Sequence, residues 1–113
     1  MLFDNTDKYP FIEWIKEGKK KQTTRLNGEW SMKMGDVYPV HNAEYGHYQK
    51  KRDSLCMIRC TNRYTKLYSE ITRSDALNEG FKSLRDFKEY MTDIYGNIEC
   101  RPRKVMVYEF EVV

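Results

Sequence analysis

The stretch Gly18-Lys19-Lys20-Lys21-Gln22-Thr23-Thr24-Arg25 decides how this 113-residue chain is read. Immediately before it, Pro10 suits a first helical turn, and Phe11, Trp14 and Ile15 share one face before Gly18 stops the run. That pattern predicts a short amphipathic helix over about residues 9 to 17. Immediately after the lysines, the β-branched and polar run Gln22 to Leu26 predicts a strand. The segment is therefore a basic helix-to-strand turn.

Moving outward, Gly35-Asp36 is a turn signal that leads Val37, Tyr38 and Val40 into a second strand. Residues 41–53 show no period and read as a polar loop carrying Tyr45 and Tyr48. Leu55 to Tyr64 reads as a third strand, with Cys56, Ile58 and Cys60 on one side and extended structure continuing through Leu67 and Tyr68. Ser74 is placed to cap a short turn over Asp75 to Asn78 that ends at Gly80. Ser83, with Asp86 three residues on, opens a helix whose inner face is Leu84, Phe87, Met91 and Ile94, closed by Gly96. Finally, Met106, Tyr108, Phe110 and Val112 alternate with Val105, Val107, Glu109 and Glu111, predicting a last strand with one apolar face. Strands from the start, middle and end of the chain with helices between them predict an α+β fold. The expected architecture is a small mixed sheet or partly closed barrel covered by two or three helices.

Length and composition exclude several classes. A single domain over residues 1–113 is expected, and nothing repeats. The charged fraction of 33% is high, but 14% aromatic residues argue against disorder. No apolar run approaches the ~20 residues of a spanning helix, and Met1 is followed by no leader-like segment, so no membrane partner is expected. Three cysteines, Cys56, Cys60 and Cys100, do not make a disulfide framework and fit reduced thiols in a cytoplasmic protein. These cysteines with His41 and His47 lack the spacing of a metal site, so no metal is expected.

Charge is distributed unevenly. Residues 16–33 hold six basic side chains against Glu17 and Glu29, and residues 50–66 hold six against Asp53 alone. Residues 70–99 reverse the balance with seven acidic and four basic side chains. Basic segments that converge in space suit a phosphate-bearing partner; segments that do not are solvated loops and strand ends.

The basic turn, Gly35-Asp36, the segment Asp75-Ala76-Leu77-Asn78-Glu79-Gly80-Phe81, the Ser83 helix and the terminal Tyr108-Glu109-Phe110 occur in an order that resembles an ASCH domain. The resemblance runs from about Phe11 to Val112 and implies a PUA-like small mixed β-barrel. It also implies a nucleotide-scale cleft lined by the helix-to-strand loop and the Glu-Gly-Phe segment. Members of that family are described as RNA-binding, and one small branch is an amidohydrolase acting on N(4)-acetylcytidine. Carried over, that branch's working residues fall on Lys20, Thr23, Arg25 and Glu79. Here Lys19 and Lys21 flank the motif lysine and Trp30 stands in the following loop, so these join Arg25 as expected substrate-binding residues. The sequence departs from the branch in its expanded, basic 41–53 segment.

The chemistry is consistent with those roles. A threonine hydroxyl needs a base within hydrogen-bond reach, and Lys20 can serve once its own proton is lost. Burial and the positive neighbours Lys19, Lys21 and Arg25 push its pKa down, whereas Glu79 pushes it up. Glu79 can pass a proton to the leaving amine, and Arg25 or backbone N–H groups can hold the oxyanion. Hydrolysis of this amide needs no metal and no cofactor. Each residue also has a plain reading: Lys20 and Lys21 solvate a turn, Thr23 is a strand residue, and Glu79 pairs with Arg25.

A different class is a non-catalytic RNA-binding module. In it Lys19 to Lys21, Arg25 and Lys50 to Arg52 meet phosphates, and Trp30, Tyr45 or Tyr48 stacks on a base. A ribonuclease ranks third, because His41 and His47 have no recognisable partners. The expected partner is a nucleoside or RNA, and a monomer is favoured.

Overall fold

A computed structural model describes residues 2–26, 32–42, 56–96 and 103–113. The elements run β1 (Leu2–Phe3), α1 (Phe11–Lys16), β2 (Gln22–Leu26), β3 (Val37–Asn42) and β4 (Cys56–Leu67). A 3₁₀ turn (Tyr68–Glu70), α2 (Arg73–Asn78), α3 (Leu84–Tyr95) and β5 (Lys104–Val112) complete them. Pro10 precedes α1 as its N-cap, and α1 buries Phe11, Ile12 and Ile15. Trp14 lies at the margin of this face and packs against the core from a half-buried position.

The sheet order is β1-β3-β4-β5-β2. Four strands pair antiparallel, while the two-residue β1 runs parallel to the end of β3, with Leu2 opposite His41 and Phe3 opposite Asn42. The fold is thus α+β with a mixed sheet, but the expected barrel is not closed. Among the described residues β1 and β2 share no ladder and remain the two edges. A two-residue edge strand offers too few backbone groups for closure. Side chains nonetheless cross the gap: the Phe3 ring lies 5.3 Å from the Arg25 guanidinium and 6.1 Å from the Phe110 ring.

Several local expectations change. His41 and Asn42 extend β3 because β1 pairs with them, while the rest of the expected 41–53 loop lies outside the described residues. β4 is one strand of 12 residues with a register shift between Cys60 and Asn62. The cap of α2 is Thr72 rather than Ser74: its Oγ1 accepts from the Asp75 N–H at 3.2 Å, and Asp75 Oδ2 accepts from the Thr72 N–H at 2.9 Å. Ser83 does cap α3, accepting from the Asp86 N–H at 3.1 Å. Phe87 and Met91 are buried, but Ile94 is 48% exposed, and Tyr90 packs against the core where Ile94 was expected.

β5 departs most from its pattern. Val105, Val107, Tyr108 and Phe110 are all buried, so both of its faces are covered over the middle of the strand. It lies between β4 and β2. Interior strands lose the simple alternation of a half-exposed one.

Tyr9, Phe11, Trp14, Phe81 and Tyr90 form an aromatic cluster with centroid separations of 4.7 to 6.2 Å, mostly edge-on or tilted. It joins α1, the turn after α2 and α3. No helix among the described residues is long and apolar enough to cross a membrane.

Candidate functional site

β2 and α2 meet in register. Side chains on a strand repeat on one face every second residue, roughly 6.6 Å apart. One helical turn spans about 5.4 Å. Gln22 and Thr24, two apart on β2, therefore face Asp75 and Glu79, four apart on the α2 segment. Gln22 Nε2 donates to Asp75 Oδ1 at 3.3 Å, and Thr24 Oγ1 donates to Glu79 Oε1 at 2.6 Å. Glu79 is the C-cap residue of α2, and its backbone N–H still bonds the Asp75 carbonyl.

Lys20 completes the arrangement. Its Nζ lies 2.6 Å from Glu79 Oε2 and 3.3 Å from the Glu79 carbonyl oxygen. Lys20 is 4% exposed and Glu79 1%. The turn that delivers Lys20 is fastened by backbone: the Lys21 N–H donates to the Asn78 carbonyl at 2.6 Å, and the Lys21 carbonyl accepts from the Phe110 N–H at 2.9 Å. The ammonium also sits 4.6 Å from the Phe11 ring centroid and 6.0 Å from that of Phe3. Burial lowers the Lys20 pKa below its ordinary 10.5, Glu79 opposes that shift, and Arg25 adds to it. Desolvation wins.

Thr23 lies on the other face of β2 and is also buried. Its Oγ1 accepts from Arg25 Nε at 3.2 Å. Arg25 is half-buried beside Phe3, and its charge reaches Lys20. Beyond Phe3, the Tyr90 hydroxyl donates to Asp4 Oδ2 at 3.1 Å. Burial first, then Asp4, raise the Tyr90 pKa.

Lys20 and Glu79 are thus in direct contact, with Arg25 near enough to act on Lys20, and Thr23 is tied to Arg25. The plain expectation of a Glu79–Arg25 ion pair is replaced by Glu79–Lys20. Lys19 is exposed and pairs with Glu17 at 3.1 Å. The Lys21 side chain is exposed, and Trp30 lies outside the described residues. Sequence reasoning missed Thr24, Gln22, Asp4 and Tyr90. For Thr24 and Gln22 the spacings lay in the chain, two residues on β2 and four between Asp75 and Glu79, but that these two faces meet is known only from the tertiary contacts.

A cavity of about 440 Å³ opens beside the same turn, with Trp14, Lys19, Gly80 and Phe81 among its walls. Lys20, Thr23 and Glu79 do not line it. Its position follows the two segments expected to frame a cleft, but the buried pair lies outside it.

The second basic segment is largely engaged where described. Arg59 pairs with Glu111 at 3.4 Å, Arg63 Nη1 donates to the Met32 carbonyl at 3.0 Å, and Lys66 pairs with Asp75 at 2.8 Å. Lys50, Lys51, Arg52, Tyr45, Tyr48, His47 and Cys100 lie outside the described residues. Cys56 and Cys60 are free thiols, and burial pushes both pKa values up. No group of three or more His, Cys, Asp or Glu among the described residues could hold a metal ion.

Comparison with solved structures shows the same fold. An ASCH domain from Lactobacillus crispatus JV V101 is 21% identical with a TM-score of 0.74, covering 95% of this chain and 74% of that one. Protein EF3133 from Enterococcus faecalis V583 is 16% identical with a TM-score of 0.65, covering 90% and 66%. The hypothetical protein PH0355 is 20% identical with a TM-score of 0.63, covering 99% and 97%. No curated protein matches the sequence. The ASCH domain model matches residues 1–113, and the chain belongs to the ASCH domain family.

Proposed function

We propose that this domain binds a cytosine nucleoside and hydrolyses the amide of N(4)-acetylcytidine with Lys20, Thr23 and Glu79. The observation that carries the reading is the buried contact of 2.6 Å between Lys20 Nζ and Glu79 Oε2, at the motif positions of the resemblance. A buried amine with a lowered pKa is a candidate proton acceptor. The Arg25 N–H on Thr23 Oγ1 stabilises negative charge developing on that oxygen.

In the proposed step the Lys20 and Thr23 side chains, which contact Glu79 and Arg25 respectively, come within hydrogen-bond reach on substrate binding. The deprotonated form of Lys20 takes the Thr23 hydroxyl proton as Oγ1 bonds to the acyl carbon. The carbon–nitrogen bond then breaks, and the proton passes from Lys20 to the departing exocyclic amine. Water afterwards cleaves the threonyl ester, releasing acetate and restoring the hydroxyl. Both Glu79 oxygens are occupied by Lys20 and Thr24, so Glu79 serves here to orient Lys20 rather than to shuttle the proton itself. Arg25 supplies positive charge near the developing oxyanion.

Incubation of the purified chain with N(4)-acetylcytidine, followed by absorbance, tests this. Wild type is expected to release cytidine and Lys20→Met to lose that activity. Equal turnover by both proteins removes the assignment. The RNA-binding reading is supported by the exposed Lys19 and Lys21 beside the site. It predicts affinity for single-stranded RNA that falls about a thousandfold between roughly 50 and 200 mM salt, as expected for six or so phosphate contacts. Absence of binding at low salt ends that reading.

A further inference from the structure

We infer that Thr24 is a positioning residue of this site: its hydroxyl holds one oxygen of Glu79 so that the other is presented to Lys20. This deepens the proposed hydrolase reading and rests on it for its catalytic consequence. The geometry is independent of it. Glu79 Oε1 accepts from Thr24 Oγ1 and Oε2 accepts from Lys20 Nζ, both at 2.6 Å. Hydrogen bonds of this length to a carboxylate are the strong, charge-assisted kind.

The two adjacent threonines divide the work by strand alternation. Thr23 faces the Arg25 side and accepts a hydrogen bond, whereas Thr24 faces α2 and donates one. Thr24 is itself 5% exposed, so solvent cannot readily replace its hydroxyl at Glu79. Without that donor Oε1 is left buried and unsatisfied, which is costly for a carboxylate. The carboxylate charge then falls more fully on Lys20, which retains its proton more firmly. The charged groups facing Lys20 are Glu79 from the end of α2, Arg25 from β2 and Asp4 after β1, with the Phe3 and Phe11 rings beside it. Only the first is directly bonded to Thr24.

The test uses the full chain with Thr24→Val, Thr24→Ser and Thr23→Val. Side-chain NMR of Lys20 across pH needs no substrate. Its midpoint is expected to move to higher pH in Thr24→Val and to stay at the wild-type position in Thr24→Ser, whereas Thr23→Val, which frees Arg25 and leaves Glu79 bonded, is not expected to raise it. With N(4)-acetylcytidine, Thr24→Val is expected to lower kcat about ten- to a hundredfold, the equivalent of a lost hydrogen bond to a charged group. KM is expected to remain within about twofold, and the rising limb of the pH profile to shift upward.

An unmoved Lys20 titration in folded Thr24→Val overturns the inference whether or not the protein is a hydrolase. Failure of wild type to release cytidine, with the titration shifted, removes the hydrolase reading and leaves the placement of Glu79 by Thr24 standing. If Thr24→Val does not fold, the wild-type hydroxyl proton decides: slow exchange with solvent supports the bond, and rapid exchange overturns it.

Discussion

Glu79 and Lys20 carry opposite charges in a setting from which both are almost entirely withdrawn from water. Removing one partner strands the other, so Glu79→Gln is expected to cost about 3–5 kcal/mol, read as a lower urea midpoint. Replacing both, as Lys20→Met with Glu79→Leu, is expected to recover most of that loss. A double variant no more stable than the single one removes the explanation. Gly80, the next residue, has φ of +101°, and a Cβ there would lie 2.6 Å from Trp14 Cε3. Backbone strain and a ring clash act together, and Gly80→Ala is expected to lose about 2–4 kcal/mol. Thermal unfolding with and without Trp14→Leu separates the two, since the smaller side chain relieves only the clash. At this scale the sequence pointed to Lys20 and Glu79 but not to Thr24, because a motif names positions along the chain and not which face of a strand meets a helix.

The α2 segment is set by its caps and by what lies beneath it. Thr72 and Asp75 exchange hydrogen bonds at its start, and Asp75 also receives Lys66 and Gln22. Burial alone raises the Asp75 carboxyl, but the bonds from Lys66, Thr72 and Gln22 outweigh it and hold the pKa below the ordinary 3.8. Such a group contributes stability that is fully present above its unfolded value and is lost as pH falls through its folded one. Acid unfolding should therefore include an Asp75 component below pH 3.8, and Asp75→Asn, though less stable near neutrality, should show a shallower decline there. An identical slope in both proteins rules out that contribution. Ser74 was a reasonable cap from spacing to Gly80, yet Thr72 won because Asp75 sits three residues after it and closes a reciprocal pair. Ile94 likewise fits the helical period but is exposed at the far end of α3, where periodicity cannot say how far the core extends.

Across the whole molecule, the two sheet edges approach without joining. Phe3 from the first edge touches Arg25 of the last and Phe110 of β5. Phe3→Ala is expected to cost about 3 kcal/mol or more by the usual scale for a buried aromatic, checked by chemical denaturation. It should also lower the proposed activity, since Arg25 and Lys20 both lose the ring beside them. Retention of full stability means that the edges are held by other contacts. From α1 to β5, the 3₁₀ turn at Tyr68–Glu70 apart, the succession of elements, the basic turn and the carboxylate segment were legible in the chain because propensity, capping and turn chemistry act over a few residues, whereas the two-residue β1 was not. The open sheet, the two buried faces of β5, the pairing of β1 with β3 and the choice of Lys20 over Arg25 as the partner of Glu79 were settled only in the tertiary structure. They depend on which distant segments pack together, and local preference does not encode the strand neighbours, the loss of water or the facing charge that such packing imposes.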